Sequence, residues 1–337
     1  MTPEDDGKRR AQAEERSPQT PRTPRPPAAT RARGAALARR LAGAGGPLIL
    51  DGATGTELER AGLRTGLPLW STHALLEAPE AVLRIHTAYR AVGAEILTAN
   101  TFRTQRRTLA RAGLGESDAR LTRLAVELAR LAASPATEDA PPWVAGSLPP
   151  LEDCYRPDLV PSEPELAREH GRQAELLGEA GVDLILIETM NDLREARAAA
   201  RAAAATGLPF VVSFVAGSGA ALLSGEPLAR AAAEAVDLGA CAVGVNCLPI
   251  ASLAACRRAL AGLPVPLLAA PNLGQPEPRT GFTRDETSDP RHFPDALAEW
   301  LSAPHGIVGG CCGTTPAHIA ALAARVRGSA GRPAARR

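Results

Sequence analysis

Two cysteines stand side by side in "GIVGGCCGTTPAHI" (306–319), Cys311 and Cys312, and a third, Cys247, closes "VGVNC" 64 positions earlier. The chain has only six cysteines in 337 residues, so their adjacency calls for a reason. In a long chain expected to be cytosolic, a disulfide framework is a poor expectation, and a metal or catalytic use of the thiols is a better one. No C-x-x-C spacing links Cys247 to the pair, so only the fold can bring the three together. If it does, three soft thiolates at one point suit Zn²⁺, with Zn–S bonds of about 2.3 Å, and leave the fourth tetrahedral position open for chemistry. Cys247, Cys311 and Cys312 are therefore the expected metal ligands. A competing use of the vicinal pair is a disulfide between Cys311 and Cys312 in a non-catalytic zinc or redox-sensing protein. Cys241 and Cys256, in apolar or Ala-rich surroundings, read as small core residues. Cys154, in "LEDCYRP", is open to either use. The six histidines form no H-x-x-x-H pair, and His318 is expected on a helix beside the site.

The elements that must position these thiols follow from hydrophobic patterning. Eight short apolar runs occur: "PLILDG" (47–52), "AEILTANTF" (94–102), "WVAGSL" (143–148), "VDLILIET" (182–189), "PFVVSF" (209–214), "CAVGVNC" (241–247), "PLLAAPN" (266–272) and "GIVGGCC" (306–312). Helix-periodic stretches rich in Ala, Leu and Arg separate them, several closed by Gly. Eight βα units in about 290 residues predict an α/β fold, a single (β/α)8 TIM barrel over 46–327. An open doubly wound sheet fits less well, because "DGATGTEL" after the first run is not G-x-G-x-x-G. Asp51 and Gly52, Asn100 and Thr101, Glu188 and Thr189, Asn246 and Cys247, Asn272, and Cys311 and Cys312 all fall at the C-terminal ends of predicted strands. Barrel enzymes build their sites on that face, and strands six and eight flank the same neighbour. Successive strand side chains point to opposite faces, so both thiols of "GGCC" reach one ion only if the chain leaves strand geometry at Cys311. Gly309, Gly310 and Gly313 permit that departure. Thr314 and Thr315 offer capping hydroxyls, and Pro316 fits a first helical position.

Composition narrows the function classes. A 45% hydrophobic content supports a large core, and 3% aromatics argue against a base-stacking nucleic-acid platform. The net charge of +1 hides basic ends: residues 1–34 carry eight Lys/Arg against five Asp/Glu, and residues 328–337 carry three Arg and no acid. Removing +3 for each end leaves about −5 for the body, which is no footprint for a phosphate backbone. The Pro/Arg-rich stretch 1–34 and residues 328–337 are expected to be disordered tails. No apolar run is long enough to span a membrane, and "MTPEDDGKRR" opens with acids, so no membrane partner and a cytoplasmic location are expected.

"DGATGTELERAGL", "GVDLILIET", "VGVNC" and "GGCCGTTPAHI", in this order, resemble the homocysteine S-methyltransferase family over about residues 46–327. That family includes S-methylmethionine- and betaine-dependent enzymes and the homocysteine module of cobalamin-dependent methionine synthase. The resemblance implies a zinc-dependent transfer of a methyl group to homocysteine, giving methionine, with the substrate thiol at the fourth position of a zinc held by Cys247, Cys311 and Cys312. It also implies that the amino group of homocysteine lies near Asp51 and Glu188, with Gly52 and Asn246 grouped with them as substrate-binding positions. The chain has "GSLPPLEDCYRP" where many stand-alone relatives have Gly-Pro-Tyr after Gly-Ser, and that loop bears on the donor. It carries no D-x-H-x-x-G cobalamin signature, so a corrinoid-linked reaction would require a separate corrinoid protein. Another small thiol or a selenol is the alternative acceptor.

Overall fold

The computed structural model describes residues 26–43, 45–134, 141–275, 283–284, 289–303 and 305–330. Eight parallel strands form its centre: β1 (Gly46–Ile49), β2 (Ile96–Ala99), β3 (Trp143–Leu148), β4 (Leu184–Met190), β5 (Phe210–Phe214), β6 (Ala242–Pro249), β7 (Leu267–Asn272) and β8 (His305–Val308). Their order is β1-β8-β7-β6-β5-β4-β3-β2. A parallel bridge of Leu50 to Ile96, with Asp51 N donating to Ile96 O at 3.0 Å and Glu95 N to Ile49 O at 2.7 Å, joins the two ends and closes the barrel.

Helices surround the strands: α1 (Ala28–Ala42) precedes β1, and α2 (Pro79–Ala91), α3 (Asp118–Ala133), α4 (Glu163–Ala180), α5 (Leu193–Thr206), α6 (Leu228–Asp237), α7 (Leu253–Ala259), the short α8 (Ala298–Leu301) and α9 (Pro316–Ala330) follow β1 to β8 in turn. Local chemistry sets their ends. Ser162 and Glu165 form a capping box at the start of α4, and Gly181, at φ 88°, ends it. Asp192 accepts from Arg194 N and Glu195 N at the start of α5. Between β7 and α8 the chain makes an antiparallel ribbon, Gly274–Gln275 against Thr283–Arg284.

Strand periodicity divides the core in two. Outward residues such as Ile185, Ile187, Val243 and Val245 pack under the helices in one large cluster. Inward residues, among them Leu48, Leu184, Leu186, Ala242, Leu268 and Ala270, fill the barrel interior together with Leu37 and Leu41 of α1. Following the period of two onward, Leu184-Leu186 leads to Glu188 and Ala242-Gly244 to Asn246, so the apolar filling gives way to polar groups at the C-terminal end.

Helix α1 corrects the expectation of a disordered N-terminal tail where residues 1–34 are described: 28–34 form its first half. It closes the N-terminal end of the barrel. Arg33 Nε binds Asp183 Oδ1 at 3.0 Å, Arg130 Nη1 binds Asp183 Oδ2 at 2.7 Å, and the Asp183 side chain is fully buried. A Cβ on Gly34 would lie 2.5 Å from Asp183 O and 2.8 Å from Pro209 Cδ, so only glycine lets the helix approach this closely. At the other end, 328–330 continue α9 rather than starting a tail. Residues 1–25 and 331–337 lie outside the described residues. None of the described helices is long and apolar enough to cross a membrane.

Candidate active site and metal centre

The strand ends meet as the patterning predicts. Asp51, Gly52, Glu188, Asn246, Cys247, Cys311 and Cys312 all line one cavity of about 560 Å³. Within it the sulfurs of Cys247, Cys311 and Cys312 lie within 4.8 Å of one another, and Cys247 Sγ is 3.8 Å from Cys312 Sγ. Four ligands placed tetrahedrally at about 2.3 Å from a zinc ion would stand ~3.8 Å apart. The spacing and the all-thiol donor set therefore fit a tetrahedral thiophilic ion with one position left for a ligand from outside the chain. Among the described residues, this is the one group of three or more His, Cys, Asp or Glu side chains close enough to share an ion. All six cysteines are free thiols.

Backbone irregularities aim the sulfurs. The β6–β7 register shifts between Asn246 and Pro249, and Cys247 takes φ 52°, in the left-handed region that non-glycine residues seldom enter. On the other side, Cys311 N donates to Pro271 O at 2.8 Å, and Cys312 O accepts from Leu273 N at 2.9 Å, so the pair remains laced to β7. The turn comes one residue later, at Gly313 with φ 86°. Gly309 and Gly310 thus have a role other than the expected bend. They permit close packing: a Cβ on Gly309 would lie 2.9 Å from Asp51 O, and one on Gly310 would strike Thr314 Oγ1. Thr314 Oγ1 instead donates to Cys311 O at 2.7 Å and accepts from Ala53 N at 3.2 Å, fastening the cysteine loop to the end of β1.

The thiols shift one another's acidity. Hydrogen bonds from the Cys311 and Cys312 thiols hold Cys247 well below the usual thiol range, and Cys247 in turn pushes both of them up. A further donor reaches Cys247 from the loop after β3: the Tyr155 hydroxyl lies 3.1 Å from its sulfur and 3.2 Å from its carbonyl oxygen. The residue types and spacing gave no sign of Tyr155. Its only advance signal was its place in the loop after a strand's C-terminal end. Cys154, left open by the sequence, lines the same cavity but lies outside the sulfur cluster, and burial pushes its thiol up. Cys256 is fully buried in the core and Cys241 bonds Phe210 O, both as expected of small core residues. His318 sits near the start of α9, its Nδ1 2.9 Å from Thr315 Oγ1, outside the cluster.

Two carboxylates, Asp51 buried and Glu188 partly buried, complete the site. Asp51 accepts from Thr98 N at 2.7 Å and Thr98 Oγ1 at 2.8 Å, yet burial pushes its pKa up to about 8. Burial likewise pushes Glu188 up to about 7, against a hydrogen bond from the Ser147 hydroxyl. Asn246 Nδ2 donates to Glu188 Oε2 at 3.1 Å and to Thr189 Oγ1 at 2.8 Å. Its Oδ1 accepts from Thr189 N at 2.8 Å and Ser213 Oγ at 2.7 Å. Those bonds use Asn246 to position Glu188 and to hold Thr189 at φ 61°. Gly52 brings the backbone close to the site, since a Cβ there would lie 2.7 Å from the Tyr89 hydroxyl. Desolvated carboxylates facing a cavity, beside a thiol cluster, are suited to a cationic ammonium on a thiol-bearing ligand.

Comparisons with known proteins identify relatives of the chain. The family model described as homocysteine S-methyltransferase matches residues 48–326. The homocysteine S-methyltransferase of Escherichia coli (strain K12) is 33% identical, over 82% of this chain and 94% of its own length. The selenocysteine Se-methyltransferase of Brassica oleracea var. italica is 30% identical, over 84% and 89%. Among solved structures, the metallated form of the homocysteine methyltransferase MmuM from Escherichia coli superposes with a TM-score of 0.72 at 32% identity, over 82% of this chain and 96% of that one. The chain belongs to the homocysteine S-methyltransferase family.

Proposed function

We propose that this protein is a zinc-dependent methyltransferase that moves a methyl group to the thiol of homocysteine, giving methionine, with Cys247, Cys311 and Cys312 holding the zinc. The observation that carries the reading is the convergence of those three sulfurs within 4.8 Å at a cavity that also holds the carboxylates of Asp51 and Glu188. The family of the chain and the names of its relatives support the same reaction. When bound, the ion supplies a Lewis acid that keeps a thiol at its open position ionised at neutral pH, where a free thiol is mostly protonated.

The chain's own residues do the rest. Asp51 and Glu188 receive the substrate ammonium, and its arrival lowers their raised pKa values and fixes the amino acid with its sulfur toward the cysteines. Asn246 and Ser147 hold Glu188 in position. Tyr155 steadies the negative charge on Cys247. The Brassica relative favours testing a selenol as a second acceptor. Six free thiols suit a reducing, cytoplasmic setting.

A panel of donors with homocysteine tests the reading: S-methylmethionine, S-adenosylmethionine, betaine and methylcobalamin, each with metal analysis of the protein. The expected result is about one zinc per chain and methionine from at least one donor. A protein that binds zinc and methylates homocysteine from no donor would overturn it in favour of the non-catalytic zinc or redox-sensing role.

A further inference from the structure

Of "DGATGTELERAGL", the chemistry above uses only Asp51 and Gly52, yet the short helix that follows, Gly55–Arg60, reaches the thiols by another route. Thr56 is fully buried, and its Oγ1 accepts from Gly313 N at 3.0 Å. One turn later, Arg60 Nη2 donates to Gly313 O at 2.8 Å, while Nη1 pairs with Glu57. Both backbone polar groups of the residue after Cys312 are therefore held by this one helix. Neither Thr56 nor Arg60 lines the cavity.

Gly313 is the turn of the cysteine loop, at φ 86°. Glycine is the residue least restricted by its own sterics, so a turn built on it has nothing internal to hold it, and the ligand just before it would be loosely placed. The restraint comes from outside. The trans peptide between Cys312 and Gly313 is bonded on both edges: its carbonyl accepts from Leu273 N at 2.9 Å, and its N–H donates to Thr56. The two groups of a planar peptide point in opposite directions, so rotating that plane breaks both bonds. Burial makes the N–H costly to leave without an acceptor. Cys311 is secured separately, through Pro271 O on its N–H and Thr314 Oγ1 on its carbonyl.

Resting on the proposed zinc site, we infer that Thr56 and Arg60 are positioning residues for Cys312, holding the Gly313 turn so that the sulfur before it meets Cys247 and Cys311 at one ion. Thr56 carries the larger share, because its bond is buried and water cannot take its place. The Arg60 side chain is 31% exposed, so water replaces part of what its loss removes. The stretch that supplies Asp51 to the substrate side of the site thus also braces a metal ligand on its other side. A displaced Cys312 would leave two well-placed thiols, and the ion would be held less tightly.

The test measures zinc affinity by chelator competition, and the thiolate-to-metal absorption of the cobalt(II)-loaded protein, for wild type, Thr56→Val, Thr56→Ser and Arg60→Met. Urea titration of the metal-free forms runs beside it. Valine keeps the shape of threonine but cannot accept from Gly313 N. Thr56→Val is expected to lose about 10- to 100-fold in zinc affinity, the range for groups that orient a metal ligand, and to show weaker thiolate-to-cobalt absorption. Thr56→Ser keeps the hydroxyl and recovers most of that loss. Arg60→Met is expected to lose about threefold, the lower end for a hydrogen bond that water partly replaces. Lower stability in urea with unchanged zinc affinity and cobalt spectrum would make Thr56 a fold residue only and overturn the inference. A deficit that serine does not recover would do the same, since it would not belong to the hydroxyl. If Thr56→Val does not fold, Arg60→Met decides: a threefold loss supports the brace, and unchanged affinity refutes it. A wild type that takes up neither zinc nor cobalt would overturn the metal centre itself and the inference with it, whereas a metal-binding wild type with unaffected variants refutes the inference alone.

Discussion

Replacing Tyr155 with Phe removes one hydroxyl from the thiol cluster and nothing else of its shape. The hydroxyl has a single proton and two acceptors near it, Cys247 Sγ at 3.1 Å and Cys247 O at 3.2 Å. Of the two, an ionised sulfur attracts the proton more strongly, so metal loading should favour the bond to Sγ. A hydrogen bond to a charged group contributes about 1.5–3 kcal/mol, which corresponds to ~10- to 150-fold in an equilibrium constant. Tyr155 is only partly buried, and water can replace part of the lost bond, which places the expected loss of zinc affinity near the lower end, about 10-fold. The deficit has a pH signature. Without its donor the Cys247 thiolate is less stable, protons compete better with zinc, and the gap between variant and wild type widens as pH falls and narrows as it rises past the thiol range. Competition against a chromophoric chelator at several pH values measures this directly, with circular dichroism to verify the fold. Affinity within twofold of wild type across the range would refute the assignment of Tyr155 to the metal-binding thiolate.

Cys247→Ser and Cys311→Ser are each expected to remove zinc and methyl transfer together, because two thiols and a hydroxyl do not make the soft donor set. Full activity in either, measured beside metal content, would contradict the mechanism. In the metal- and substrate-free protein, Asp51 is raised from its ordinary 3.8 to about 8. The folded state therefore holds this proton over a range where the unfolded chain has released it, so the associated stability is present below pH about 4 and lost as pH rises through about 8. The slope is at most about 1.4 kcal/mol per pH unit. Asp51→Asn is expected to gain stability relative to wild type across that window in urea titrations, and a difference that does not change with pH would contradict the burial argument. Leu37→Ala, in α1 far from the cysteines, is expected to cost about 2–5 kcal/mol as a fully buried core truncation while leaving zinc affinity unchanged; a metal loss as large as that of Cys311→Ser would show that α1 shapes the site.

How much of this could be read from the chain follows from the range over which each feature is determined. Strand number, barrel closure and the C-terminal location of Asp51, Glu188, Cys247, Cys311 and Cys312 were legible because period-two burial and the right-handed βα repeat depend on local pattern. Helix α1 was not: its composition is that of a solvated tail, and what orders it is contact with distant groups, chiefly Asp183 with Arg33 and the interior row with Leu37 and Leu41. Tyr155 was missed for a similar reason, since the loop after β3 has no periodicity to reveal which side chains turn inward.

The placement of the bend shows how local rules can name the right residues for the wrong task. Gly309 and Gly310 before Cys311 suggest a flexible turn there, whereas the left-handed backbone lies after the pair at Gly313 and, on β6 and β4, at Cys247 and Thr189, neither of them glycine. Such conformations cost on the order of 1–3 kcal/mol each and persist where the surroundings over-determine them. At Thr189 it is Asn246 that does so: its amide bonds Thr189 through both the backbone N and the side-chain hydroxyl. One amide thereby ties the irregular ends of β4 and β6, and with them a carboxylate and a thiol that must face the same ligand. In "VGVNC" the asparagine next to the cysteine is thus best understood as the residue that holds the left-handed backbone of Thr189 and the carboxylate of Glu188 beside it.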